Sequence, residues 1–194
     1  MSRSEDLRLI ALAEFASAGY AATSLQRIAD LAGASKASVL YHYDSKEQLL
    51  EAALAPALDD LSALIDETAA RGLDREHRAA FVERFVDYLL DHRQVVHLVI
   101  NQGATLEDVP VMQRALVQMR RVADLFDLAA SSPVEKLRYG IALGGAAYCL
   151  AAARQLDVVE EEPEVLRAGL LVVISELLVP VTDPATEPVA DPAC

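Results

Sequence analysis

Between Thr23 and Lys46 the apolar positions run in two short helical phases separated by a turn. Leu25, Ile28, Ala29 and Ala32 recur at the spacing of one helix face and leave Gln26, Arg27 and Asp30 outward. Thr23 and Gln26 stand three apart, as the partners of a capping box do, which predicts a helix start there. Gly33 falls where a helix end favours a left-handed residue, and only Ala34 separates it from Ser35, a good N-cap for a second helix from Lys36 to about Tyr43. Val39 and Tyr43 lie four apart and can pack inward, while Lys36, Ala37, Ser38, Tyr41 and His42 fall around the opposite side. Ser45 and Lys46 open the next helix. This pattern fits a helix-turn-helix that offers one polar helix to DNA, and it also fits a generic helical hairpin.

The same periodicity predicts helices along the rest of the chain. Residues 4–18 form one that buries Leu7, Ile10, Ala11 and Phe15. A long one runs from Ser45 to Arg71 and stops at Gly72, with Pro56 predicting a kink or break near Ala52 to Pro56. Further helices are predicted over about 74–92, with Phe81, Phe85, Val86, Leu89 and Leu90 inward, over about 94–103, and from Pro110 through Met119 to Ala130. Ser132, Pro133 and Glu135 make a capped start for the next, and Pro163 opens the last, which reaches Leu178. The expected fold is all-α, about nine helices. Residues 1–47 form a three-helix head, 48–179 a larger helical body, and 180–194 a proline-rich tail expected to be disordered.

Two late segments stand apart. KLRYGIALGGAAYCLAAARQL sets Gly140, Gly144 and Gly145 among alanines, and RAGLLVVISELLV is apolar almost all round. Small residues let helices approach closely and an all-round apolar helix must be buried, so the pair reads either as a subunit interface or as an ordinary buried pair within one chain.

Composition narrows the classes. The 194 residues, 53% apolar, can bury one sizeable core or two small ones. No apolar run reaches a membrane span and MSRSEDLRL lacks a signal-peptide core, which predicts a cytoplasmic protein with no membrane partner. Cys149 and Cys194 make neither a disulfide framework nor a metal-ligand spacing. His42, His77, His92 and His97 show no paired metal spacing, and no nucleophile elbow or phosphate loop appears, so no catalytic residue, metal or cofactor is expected. The acidic run at Glu160 to Glu164 suits the start of the last helix and a solvated loop. The net charge of −13 is uneven: residues 1–50 hold five Lys+Arg against six Asp+Glu, and residues 51–194 hold twelve against twenty-four. An acidic body repels DNA and confines contact to the near-neutral head, where Arg27, Lys36 and Lys46 are the cations available for phosphates.

Tyr20, Thr23, Ile28, Ala29, Ala32, Gly33, Ser35, Lys36, Tyr41, His42, Ser45 and Lys46, with Phe15 and Gly19 before them, resemble the amino-terminal domain of the TetR family of bacterial transcriptional regulators. The likeness covers roughly the first fifty residues. It implies that Thr23 or Ser24 touches a phosphate, that Gln26 approaches a base, that Lys36, Ala37 and Ser38 face the major groove, and that Tyr41, His42 and Lys46 clamp the DNA backbone. Leu40 departs from a frequent phosphate-contacting tyrosine, Ala37 from a glycine and Tyr43 from a phenylalanine. The resemblance also implies a homodimer, a repressor on a palindromic operator in double-stranded DNA, joined through the last two helices by Gly140, Ile141, Gly144, Gly145, Tyr148, Leu170, Val173, Ile174 and Leu177. It further implies a body cavity for a small apolar or cationic effector, with Phe85, Tyr88, His97, Asn101, Met112, Met119, Phe126 and Tyr148 as its lining. The alternative is a TetR-like DNA-bound adaptor whose body binds a protein and takes no inducer.

Overall fold

The computed structural model describes residues 2–152 and 162–178. Its order is α1 (Arg3–Ala18), α2 (Leu25–Leu31), α3 (Lys36–His42), α4 (Lys46–Arg71), α5 (Arg75–Asp91), α6 (Arg93–Gln102), a 3-10 turn (Gly103–Leu106), α7 (Pro110–Ala129), α8 (Pro133–Tyr139), a π turn (Gly140–Gly144), α9 (Gly145–Ala151) and α10 (Pro163–Leu178). The π turn joins α8 and α9 into one rod, so the described residues form nine rods and no strand. The expected tail lies outside the described residues, as do Cys194, Glu160 and Glu161.

Local chemistry sets most of the boundaries. Ser2, Ser24, Ser35, Ser45, Asp74 and Ser132 each accept the backbone N–H three residues on, satisfying a donor that has no partner inside its helix. Pro110 and Pro133 sit in first turns, where the missing N–H costs nothing. Gly33 and Gly72 end α2 and α4 at φ +58° and +81°, a region that side-chain-bearing residues avoid. One boundary differs from expectation. Ser24, not Thr23, caps α2.

Two apolar cores stack along α4. The first joins α1, α2 and α3 through Leu7, Phe15, Ile28 and Val39 to the first half of α4, and continues into Leu98, Val111 and Met112. The second holds the far half of α4 against α5, α7, the α8–α9 rod and α10, centred on Phe81, Phe85, Phe126 and Tyr139. The head therefore shares its core with α6 and α7, and Tyr88 packs against both clusters.

α4 is continuous through Pro56, so the expected break is absent. Proline removes the N–H that would serve the carbonyl one turn back, but Pro56 is exposed, where water can take that place. Arg114 of α7 also spans the site, pairing with Glu51 before the proline and with Asp59 at 3.3 Å after it. Within the single chain α10 is buried on one side: Ile174 and Leu178 are buried against α5 while Val165, Val172 and Val173 lie exposed, so an ordinary pair buried within one chain does not account for it.

Candidate nucleic-acid interface and body cavity

α3 is held from behind and open in front. Val39 is fully buried, and Tyr43 at the helix end donates from its hydroxyl to the Ser4 carbonyl at 2.9 Å and meets the Ser4 hydroxyl at 2.8 Å, which fixes α3 on the start of α1. Arg3 donates to the Gly33 carbonyl at 3.3 Å, tying the same region of α1 to the turn. On the open side Lys36, Ala37 and Leu40 are exposed, Ser38 and His42 partly so, and Tyr41 stands 85% exposed with its ring edge-on to His42. A phenol held out in this way has little apolar contact to justify it within the chain.

The residues before and after α3 fall into two groups. Ser24 is exposed, although its hydroxyl already serves the Arg27 N–H, and Gln26 is exposed with its amide donating to Asp30 at 2.7 Å. Thr23 and Lys46 do not lie where the resemblance implies. Thr23 is 2% exposed and its hydroxyl donates to the Gly19 carbonyl at 2.8 Å, so it cannot reach a phosphate from this conformation. Lys46 turns inward. Its ammonium donates to the carbonyls of Tyr20 and Thr23, each at 2.9 Å, and lies 4.2 Å from the centre of the Tyr20 ring. The cation therefore fixes the loop between α1 and α2 onto α4. Arg27 is paired with Glu14 at 3.0 Å, which leaves Lys36 as the exposed cation of the helix-turn-helix without an ion pair among the described residues.

A residue that local pattern did not reveal joins this head to the body. Gln102, at the end of α6, accepts from the Tyr20 N–H at 2.8 Å and donates to the Phe15 carbonyl at 2.9 Å. One amide thus satisfies two groups freed where α1 ends at Gly19. Tyr20 in turn gives its carbonyl and ring to Lys46, so α6, α1 and α4 meet at a single residue. Burial raises the pKa of the Tyr20 phenol, with the Glu47 carboxylate adding to the shift.

The body encloses a cavity of about 680 Å³ among α4, α5, α6, α7 and the α8–α9 rod. Its deep wall is apolar and aromatic, including Leu61, Phe85, Leu89, Val96 and Phe126, while Arg120, Asp124, Asp127 and Lys136 stand at an exposed rim. Lys136 pairs with Asp127 there. Of the expected lining residues, Phe85, Tyr88, Met119 and Phe126 line this space. The other four do not. His97 meets the Ala151 carbonyl at 2.6 Å and Asn101 donates to the His97 carbonyl at 2.9 Å, so this pair closes the end of α9 instead. Met112 is fully buried in the head-side core, and Tyr148 is 55% exposed on the outer face. The α6 wall had a legible signal, since Val95, Val96, Val99 and Ile100 share one face at helical spacing and all four line the cavity.

Two tyrosines of the cavity have altered acidity. Burial, with the Asp60 carboxylate adding to it, pushes the Tyr88 phenol up to about 12. Burial also raises Tyr139, against the opposing pull of the Arg78 guanidinium, 5.5 Å from the ring centre.

The expected subunit-interface residues divide similarly. Gly140, Ile141, Gly144, Tyr148 and Val173 are exposed, Gly145, Leu170 and Leu177 are half-buried, and Ile174 is buried inside the chain, which removes it from any outer surface. Among the described residues no group of histidine, cysteine and carboxylate side chains is placed to hold a metal ion, and no helix is long and apolar enough to cross a membrane.

These features define a class: a helix-turn-helix head carried by an all-helical body that contains a cavity. Residues 10–53, the head and the start of α4, match the family model of the bacterial regulatory proteins of the tetR family. A 72-residue stretch is 42% identical to the HTH-type transcriptional repressor KstR2 of Rhodococcus jostii (strain RHA1), covering 37% of this chain and 35% of that protein. A 112-residue stretch is 34% identical to the repressor of the same name from Mycolicibacterium smegmatis, covering 56% of this chain and 54% of that one. The matched regions thus span about a third to a half of the length of these curated relatives. The fold extends further. The ketosteroid transcriptional regulator KstR2 of Mycobacterium tuberculosis aligns over 90% of this chain and 94% of its own at a TM-score of 0.63 and 20% identity. A TerR/AcrR-family transcriptional regulator of Aquifex aeolicus VF5 aligns over 88% and 96% at 0.63 and 20%.

Proposed function

We propose that this chain is a homodimeric transcriptional repressor of the bacterial cytoplasm that binds a palindromic operator and is released by a small molecule held in its body. The observation that carries this reading is α3, packed rigidly from behind and presenting Lys36, Ala37, Ser38, Tyr41 and His42 outward. A recognition helix needs that combination, because its side chains must meet base edges and phosphates at a fixed angle. Ser24 and Gln26, exposed at the start of α2, have hydrogen bonds that can be exchanged for contacts to DNA. The relatives that bear the name repressor support the sign of the response.

A dimer follows from the charge of the head and from its surface. With Lys36 the exposed cation of the helix-turn-helix that has no ion pair among the described residues, and Arg3 the other such cation of the head, a single head releases few counterions, so useful affinity requires two heads on half-sites about 34 Å apart. The exposed apolar side chains of Ile141, Tyr148 and Val173, beside the open glycines Gly140 and Gly144, offer a face for the second copy. Within the cavity, the apolar deep wall favours an apolar effector over a cationic one, because no carboxylate stands there to offset the lost hydration of a charge. The sizeable cavity favours this regulator over an adaptor that takes no inducer.

Such an effector needs only to bind one arrangement of the heads better than the other. A preference of about 3 kcal/mol changes operator affinity by roughly a hundredfold. α6 lines the cavity and ends at Gln102, which grips the end of α1, so a shift of α6 bears directly on the head. Selection from random duplex oligonucleotides at low ionic strength tests the whole: enrichment of one palindrome is expected, and no enrichment by a folded dimer rejects it.

A further inference from the structure

The polar groups that a molecule inside the cavity could meet are few, and they differ in reach. Arg120, Asp124, Asp127 and Lys136 belong to the rim, two cations facing two anions, so the entrance has no net preference for either sign. Two tyrosines, Tyr88 and Tyr139, are among the residues that line the cavity. The Tyr139 oxygen is sealed from any accessible space and has no hydrogen-bond partner among the described residues. Phe126 packs against its ring at 4.8 Å between centres, so a guest cannot reach that oxygen without repacking the aromatic cluster. Tyr88 is different. It is half-buried, lines the cavity, and its hydroxyl takes no hydrogen bond from another described residue. Its pKa near 12 keeps the proton on the oxygen throughout the neutral range, so the group is available as a donor.

We propose that the cavity takes a neutral apolar molecule carrying a hydrogen-bond acceptor oxygen, such as a ketone or ester carbonyl, and that Tyr88 donates to that oxygen. The proposal rests on the effector reading of the cavity and names the chemistry of the guest. An apolar wall gains from excluding water, and a donor at Tyr88 fixes the orientation of a guest that would otherwise slide. A charged guest would give up hydration in the deep wall with no opposite charge to meet, whereas a pure hydrocarbon would leave the phenol O–H without a partner. Tyr88 also touches both apolar cores, so a guest anchored there sits at the junction of head and body.

Prodan, a neutral naphthyl ketone whose emission moves to longer wavelength when its carbonyl accepts a hydrogen bond, tests this on the full chain. Saturable binding with hydrogen-bonded emission is expected, and Tyr88→Phe should bind about tenfold more weakly with emission at shorter wavelength. Tyr139→Phe should change neither. Hydrocarbon-like emission from prodan on the unaltered chain overturns the proposal without any variant. So does equal affinity and emission in Tyr88→Phe, a loss in Tyr139→Phe as large as that in Tyr88→Phe, or tighter binding of dodecanoate or dodecyltrimethylammonium than of the ketone. Those four outcomes leave an effector-filled cavity standing, whereas no saturable binding of any of the three probes removes both the proposal and the effector.

Discussion

In the head, polar groups that a sequence would leave at the surface are drawn inward; in the body, space is left open among side chains that a sequence would pack shut. Lys46, Thr23 and Gln102 spend their hydrogen bonds on the backbone around Gly19 to Thr23, and the result is a small rigid support for α3. Phe85, Tyr88 and Phe126 instead surround a cavity of about 680 Å³. The difference matches two tasks. A surface that reads a fixed duplex profits from being preorganised, whereas a site that must respond to a guest needs room to repack.

The largest test of this contrast is Phe15→Ala, which empties the centre of the head core. Phe15 is fully buried, and a loss of about 3–5 kcal/mol in denaturant unfolding is expected. If the chain instead loses under about 1 kcal/mol, the head is not the tightly packed unit described. Lys46→Ala comes next: it strips two carbonyls of a charged donor and should cost about 2–3 kcal/mol of stability, a folding defect that precedes any change in DNA affinity. Normal stability with lost operator binding would return Lys46 to the DNA interface. Gln102→Ala should cost about 1–2 kcal/mol and speed hydrogen exchange at the Tyr20 amide more than at buried α5 amides.

Smaller effects are expected at the surface. Lys36→Ala should leave stability within about 0.5 kcal/mol and lower the salt slope of operator binding by about 1 per head. Ser38→Ala, by contrast, should alter which bases are preferred in a selection. Acid should probe the body weakly. The Arg167 guanidinium hydrogen-bonds Asp87 and holds its pKa below the ordinary 3.8, so the pair's contribution is whole above that value and fades as pH falls through the depressed one. Both groups are half-exposed, and solvent screening keeps the loss small, seen as a slightly flattened acid transition in Asp87→Asn.

Local chemistry was the legible part of the fold. Ser35 and Ser132 cap the helices they were expected to cap, Ser45 caps the one it was expected to open, and Gly33, Gly72, Pro110, Pro133 and Pro163 mark ends and starts within a residue or two. Thr23 and Ser24 show the limit, since both can cap and only the burial of Thr23 against Gly19 decides between them. The roles of Lys46 and Gln102 depend on carbonyls and amides between 23 and 87 residues away, which no periodicity carries. His97 and Asn101 do share a face, as their spacing of four requires, but that face meets the end of α9 and not the cavity. Four of the eight residues expected to line the cavity do so, Phe85, Tyr88 and Phe126 from the apolar faces of α5 and α7 and Met119 from a more exposed position, while the rim charges required knowing how α7 meets α8.

The π turn at the lip of the cavity has an evolutionary consequence. Gly140 and Gly144 border the opening, and a methyl group built on either meets no atom within 4 Å. Side chains of graded bulk could be installed there one mutation at a time and narrow the doorway, but both positions also belong to the face proposed for the second copy, so each step would alter how two chains meet. Chemical preference and subunit pairing would then drift together along a lineage through these two codons.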